Sequence, residues 1–163
     1  MDAFWLSLRL LCLLGVANGA PVLAKRVLGD RWNAPLDGGV RLGDGRPLLG
    51  PAKTYRGVGV AVLATALAAP LLGIPLAVGA VIGAAAMAGD ALSSFAKRRL
   101  GAPPSGRATG LDQIPEALLP LLAVRSALDL SAGQIFGVVA AFFVLEQPVA
   151  RLLHRLGIRD RPY

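Results

Sequence analysis

The sequence predicts an all-α integral membrane protein: a bundle of five transmembrane helices with a polar site on its cytoplasmic side. Three observations predict it. First, 55% of the 163 residues are hydrophobic and 17% are charged, with a mean hydropathy of +0.60. An ordinary soluble domain is about 45–50% apolar and about 25% charged. Second, the apolar residues gather in five segments. Third, 15 of the 17 Lys and Arg residues fall in three clusters between or after those segments, Lys25 to Arg56, Lys97 to Arg107 and Arg151 to Arg161. Basic tracts between apolar runs mark cytoplasmic loops.

The segments cover about residues 3–23, 57–72, 76–95, 114–128 and 133–153. At 1.5 Å per residue, about 20 residues cross a hydrocarbon core of about 30 Å. The first, third and fifth reach that length, and the second and fourth need a few flanking residues. Pro70, Gly73 and Pro75 break the chain between the second and third. Asp129, Ser131 and Gly133 mark the break before the fifth, where Ser131 is placed to cap the helix. These two connections carry almost no charge. Five crossings then place the loops of about 24–56 and 96–113 and the C-terminus in the cytoplasm and the N-terminus outside, with residues 1–163 forming one transmembrane domain. A cleaved signal peptide is the competing reading of the first segment, through Ala17 and Gly19. Asp2, the lack of a base before it and Arg9 within the apolar run argue against cleavage.

Composition narrows the function classes. The net charge of +7 and pI near 10.8 do not point to nucleic acid, because no soluble domain remains to carry a binding face. The single Cys12 excludes a disulfide framework or a cysteine metal site. The single His154 lies among arginines and reads as solvated or lipid-facing. Gly79 and Gly83 form a Gly-x-x-x-Gly pair in a small-residue helix, suited to close helix packing or to a contact in a homodimer.

Some polar residues are left over by apolar packing. Asp90 lies near the cytoplasmic end of the third span, where a carboxylate costs about 2.5–3.5 kcal/mol on insertion scales. Helical spacing aligns it with Ser94, Lys97 and Arg98. That stripe suits a phosphate with its metal, or equally an ion pair that fixes the helix end. The loop GDGRPLLGPAKTYRG brings Lys53, Thr54 and Arg56 to the membrane surface. Such a loop holds phosphate oxygens or simply anionic headgroups. It lacks the spacing of a P-loop. Asp112, before the fourth span, is either an N-cap or a second carboxylate converging with Asp90 on Mg²⁺. Asn18 and Asp37 lie near the same side and are also good turn formers.

The stretches ANGAPVLAKR, APLDGG, LLGPAKTYRG, GDALSSFAKRRLG and GLDQ, read together from Asn18 to Gln113, resemble the CDP-archaeol synthase family. These are short relatives of the CTP:phosphatidate cytidylyltransferases. The resemblance implies five spans and transfer of a cytidylyl group from CTP to a lipid phosphate, releasing pyrophosphate. It implies Mg²⁺ held by Asp90 and Asp112, and phosphate handling by Lys53, Thr54, Ser94, Lys97 and Arg98. Asn18 and Asp37 match family positions as well. The chain departs from the pattern at Pro115, where a second Asp usually follows the Asp of the last motif, and Glu116 comes next. The Asp-Arg-x-Asp and His-Gly-Gly elements of the larger enzymes are also missing.

A lipid phosphate monoester is mostly dianionic at neutral pH, so its attack on the α-phosphorus of CTP needs no general base. What it needs is charge compensation, which Mg²⁺ and fixed cations supply. The alternatives are a non-catalytic membrane scaffold that attracts anionic lipid and a small transporter. Geometry-specific dependence on Lys53 separates the enzyme from the scaffold. A transporter calls for mid-membrane polar residues and repeat symmetry, for which Arg9 and Asn18 are the only hints.

Overall fold

Five helices account for most of the described residues: α1 (Ala3–Leu28), α2 (Tyr55–Leu71), α3 (Leu76–Arg99), α4 (Gln113–Ala123) and α5 (Ala132–Arg155). The computed structural model describes residues 2–101 and 112–157. Arg107, Arg159, Arg161 and the first two residues of GLDQ lie outside them. Among the described residues three helices are long and apolar enough to cross a membrane, Ala3–Leu28, Leu76–Arg99 and Ala132–Leu152. The chain is thus an all-helical membrane protein.

Local chemistry sets the helix ends. The Thr54 hydroxyl accepts the Gly57 N–H at 3.1 Å and starts α2. Ser131 starts α5 with a full capping box: its hydroxyl accepts the Gln134 N–H, and the Gln134 side chain accepts the Ser131 N–H. The α1 helix runs five residues past its expected end and stops at Gly29, whose N–H returns to the Lys25 carbonyl at 2.9 Å. By contrast α4 stops at Ala123, where the apolar pattern runs on to 128. Its 11 residues span only about 16 Å at helical rise. Pro120 removes one donor from its last turn, and residues 124–129 continue as turns, with Asp129 at φ 51°.

The α3 helix packs against α1, α2 and α4. Its small residues make the α2 contact a backbone one. A β-carbon on Gly79 would lie 2.5 Å from the Ala69 side chain and 2.6 Å from the Thr65 carbonyl, and one on Gly83 would lie 2.9 Å from the Ala61 carbonyl. The Gly-x-x-x-Gly face is therefore used inside the chain and is not free for a second subunit. Leu10, Leu13, Leu14, Ile82, Leu121 and Val138 fill the centre. Leu63, Leu67, Leu71, Val81, Phe136 and Val144 are exposed on the outside of the bundle, where lipid tails are as apolar as they are.

One end of the bundle is polar. The C-terminal ends of α1, α3 and α5 and the N-terminal ends of α2 and α4 meet there, covered by residues 29–54. The other end holds the two short connections, with Arg9 reaching toward Gly73.

Candidate active site

The long loop is built around Asp37. Its carboxylate accepts the backbone N–H groups of Gly39 (3.0 Å), Leu49 (2.8 Å) and Gly50 (2.9 Å). These hydrogen bonds, that of Gly50 foremost, hold its carboxyl below the usual carboxylate range. Gly39 and Gly50 have φ of 81° and 98°, a backbone that side chains disfavour. With the loop so folded, residues 34–36 run antiparallel to 53–55. The Leu36 N–H donates to the Lys53 carbonyl at 2.7 Å and the Tyr55 N–H to the Ala34 carbonyl at 3.1 Å.

That pairing aims Lys53 at α3. Its ammonium donates to both carboxylate oxygens of Asp90, at 2.6 and 2.5 Å. Their side chains are 20% and 23% exposed, so the pair is shielded but reachable. Seven residues on, Lys97 meets Asp112 at 2.6 Å. Asp112 precedes α4 but makes no side-chain cap there, so the ion pair takes the place of the capping role. The two ion pairs bracket about 10 Å of α3. Ser94 and Arg98 lie between and beside them, both buried.

A second clamp ties the loop to the end of α3. Arg46 donates to the carbonyls of Arg98 (3.4 Å) and Arg99 (2.8 Å), while Arg99 donates to Asp44 (2.7 Å) and to the Pro47 carbonyl (2.8 Å). The Arg46 N–H and the Arg99 guanidinium hold the Asp44 carboxyl below its ordinary value.

The remaining expected residues lie elsewhere in this scaffold. Thr54 caps α2. Arg56 donates to the carbonyls of Gly29 (2.8 Å) and Arg31 (2.5 Å) and to Asn33 (3.3 Å), tying α2 to the end of α1. Asn18 donates to the Leu14 carbonyl of its own helix at 3.1 Å and has no hydrogen bond to either ion pair among the described residues. The spacing argument missed the Arg46–Arg99–Asp44 clamp and Glu146 of α5. An acid inside an apolar span was the available signal for Glu146.

Glu116 completes the picture. It is 9% exposed, its carboxyl lies next to that of Asp90, and Lys53 and Glu146 lie within electrostatic reach. Among the described residues no three His, Cys, Asp or Glu side chains converge closely enough to hold a metal ion by themselves.

A half-buried carboxylate with a fixed ammonium at the polar end of an apolar bundle suits phosphate chemistry on a lipid. The CarS-like family model, CDP-archaeol synthase, matches residues 25–163. The chain belongs to the CDP-archaeol synthase family. It is 36% identical over 156 residues to the CDP-archaeol synthase of Hyperthermus butylicus, covering 86% of this chain and 80% of the relative. It is 38% identical over 153 residues to that of Pyrobaculum arsenaticum, covering 91% and 92%. A solved structure of an intramembrane enzyme for archaeal membrane lipids biosynthesis superposes with a TM-score of 0.74 at 32% identity, covering 86% of this chain and 90% of that one. Membership of the CDP-archaeol synthase family accounts for the extent of the shared pattern, which runs through the long loop and α3 and on to the C-terminal end.

Proposed function

We propose that the polar end faces the cytoplasm and is the active site of a CTP-dependent cytidylyltransferase that converts an archaeol-type lipid phosphate to its CDP-lipid. The single observation that carries this reading is the Lys53–Asp90 pair, 37 residues apart in sequence and held by a loop built for the purpose. Five helices that alternate in direction would put the N-terminus outside. CTP enters from the cytoplasm, while the isoprenoid tails stay among the helices.

The residues divide the work. Lys53, Lys97 and Arg98 offset the charge of two polyanions and orient them. Ser94 and Thr54 offer hydroxyls beside the phosphates, and Asp37 and Arg56 hold the loop that presents Lys53. The lipid phosphate oxygen bonds to the α-phosphorus of CTP, the bond to the bridging oxygen of the β-phosphate breaks, and pyrophosphate leaves with the electron pair.

The donor set fits Mg²⁺: hard carboxylate oxygens with no His or Cys, in the small number that Mg²⁺ takes when substrate phosphates and water complete its shell. Asp90 and Asp112 would hold it. When bound, Mg²⁺ would neutralise the triphosphate and stabilise charge on the departing pyrophosphate.

The test is one assay. Purified protein is given labelled CTP, Mg²⁺ and a panel of lipid phosphates, and label in the organic phase is counted. Asp90→Asn is expected to lower incorporation by about 10²–10³-fold, with the protein still folded in detergent. Wild-type activity in that variant would overturn the assignment.

A further inference from the structure

The chain contains two glutamates, Glu116 and Glu146, and both stand in apolar helices. A carboxyl group placed there is expensive, and apolar packing explains neither. The fold brings them together: Glu146 on α5 lies within electrostatic reach of Glu116 on α4, and Glu116 touches Asp90 on α3. Oε2 of Glu146 is buried and has no hydrogen-bond partner among the described residues.

The approach of Glu116 to Asp90 depends on Gly89. A β-carbon there would collide with the Pro115 carbonyl. The first turn of α4 therefore presses on α3 one residue before Asp90, and the residue after Pro115 reaches the Asp90 carboxyl. Lys53 binds the same carboxyl through both oxygens. The carboxyl groups of Asp90 and Glu116 thus stand side by side, and adjacent carboxyl groups repel unless a cation or a proton lies between them.

We infer that Glu116 is a carboxylate ligand, beside Asp90, of the divalent cation that accompanies the nucleotide. The assignment rests on the cation-assisted reaction proposed above. It gives Glu116 the duty of the acid that Pro115 displaces from the shared motif.

Mn²⁺ is the probe, titrated into the full-length protein in detergent with CTP present and followed by the loss of its free-ion electron paramagnetic resonance signal. Glu116→Gln preserves shape and hydrogen bonding but not charge. It is expected to weaken Mn²⁺ binding by about 10-fold or more, with the melting temperature in the absence of Mn²⁺ unchanged. A second measurement leaves position 116 intact. In Glu146→Gln protein made by cell-free synthesis from side-chain-carboxyl-¹³C glutamate with transaminases and glutamine synthetase inhibited, the labelled carboxyl belongs to Glu116, and a ¹³C hyperfine coupling to bound Mn²⁺ is expected. Wild-type Mn²⁺ affinity in Glu116→Gln, or bound Mn²⁺ with no ¹³C coupling, overturns the inference. If Asp90→Asn meanwhile abolishes binding, the cation reading stands without Glu116. A wild-type protein that binds no Mn²⁺ overturns both.

Discussion

Lys53 and Asp90 lie on different elements, yet the Lys53 ammonium bridges both Asp90 oxygens at 2.5–2.6 Å. One lies in a loop and the other inside a transmembrane helix. A compact ammonium fits that bridge. A guanidinium places its charge farther along and spreads it over a plane. Lys53→Arg is expected to lower kcat/KM by about 10-fold, or about 1.4 kcal/mol of transition-state stabilisation, as read by CDP-lipid formation across a range of CTP concentrations. A harmless substitution would support a merely electrostatic loop.

The Lys97–Asp112 pair is the second anchor, with side chains 13% and 21% exposed. A double-mutant cycle of Lys97→Met and Asp112→Asn, scored by thermal melting in detergent, is expected to give a coupling of about 0.5–3 kcal/mol. Single losses that add without coupling would show that the pair carries no energy.

Gly89 sets the distance between α3 and α4. The obstacle to any side chain there is backbone, which cannot swing aside. Gly89→Ala is expected to cost about 1–3 kcal/mol, as overpacking does, and to reduce CDP-lipid formation out of proportion to the stability lost, because the shift separates Glu116 from Asp90. Activity and melting measured on one preparation check both parts.

Asp37 predicts how the loop responds to acid. Its folded carboxyl sits below the usual value. An unfolded loop therefore binds a proton first as pH falls below about 3.9. The stabilisation is complete at neutral pH and is lost as pH drops through the folded value. Melting temperature is expected to fall as pH drops below about 4, and to fall less in Asp37→Asn, which starts lower at pH 7. Asp44 shifts in the same direction and contributes to the wild-type slope.

The helices were legible because apolar run length and turn chemistry both bear on them. Pro70, Gly73 and Ser131 delimit α2 and α5 within a residue or two of expectation. The end of α4 was not legible, because hydropathy continues through residues 124–128 while the helix does not. At the site, spacing on α3 puts Asp90, Ser94, Lys97 and Arg98 on one stripe, of which Ser94 and Arg98 are buried and Asp90 and Lys97 are partly exposed. What the stripe meets is tertiary. No local rule couples Lys53 to Asp90, or Arg46 to the carbonyls of Arg98 and Arg99. Asp37 illustrates the same limit: its type suggested a turn, yet two of its three donors come from residues 12 and 13 positions away.

The glycine seam between α2 and α3 has a mechanical consequence. Gly79 and Gly83 let the two backbones touch, so the hairpin behaves as a stiff tongs whose hinge sits at the far surface and whose tips carry Lys53 and Asp90. A wedge driven in at Gly79, about 16 Å below Asp90 along the helix, would open those tips. Damage far from any substrate would then be felt as lost chemistry.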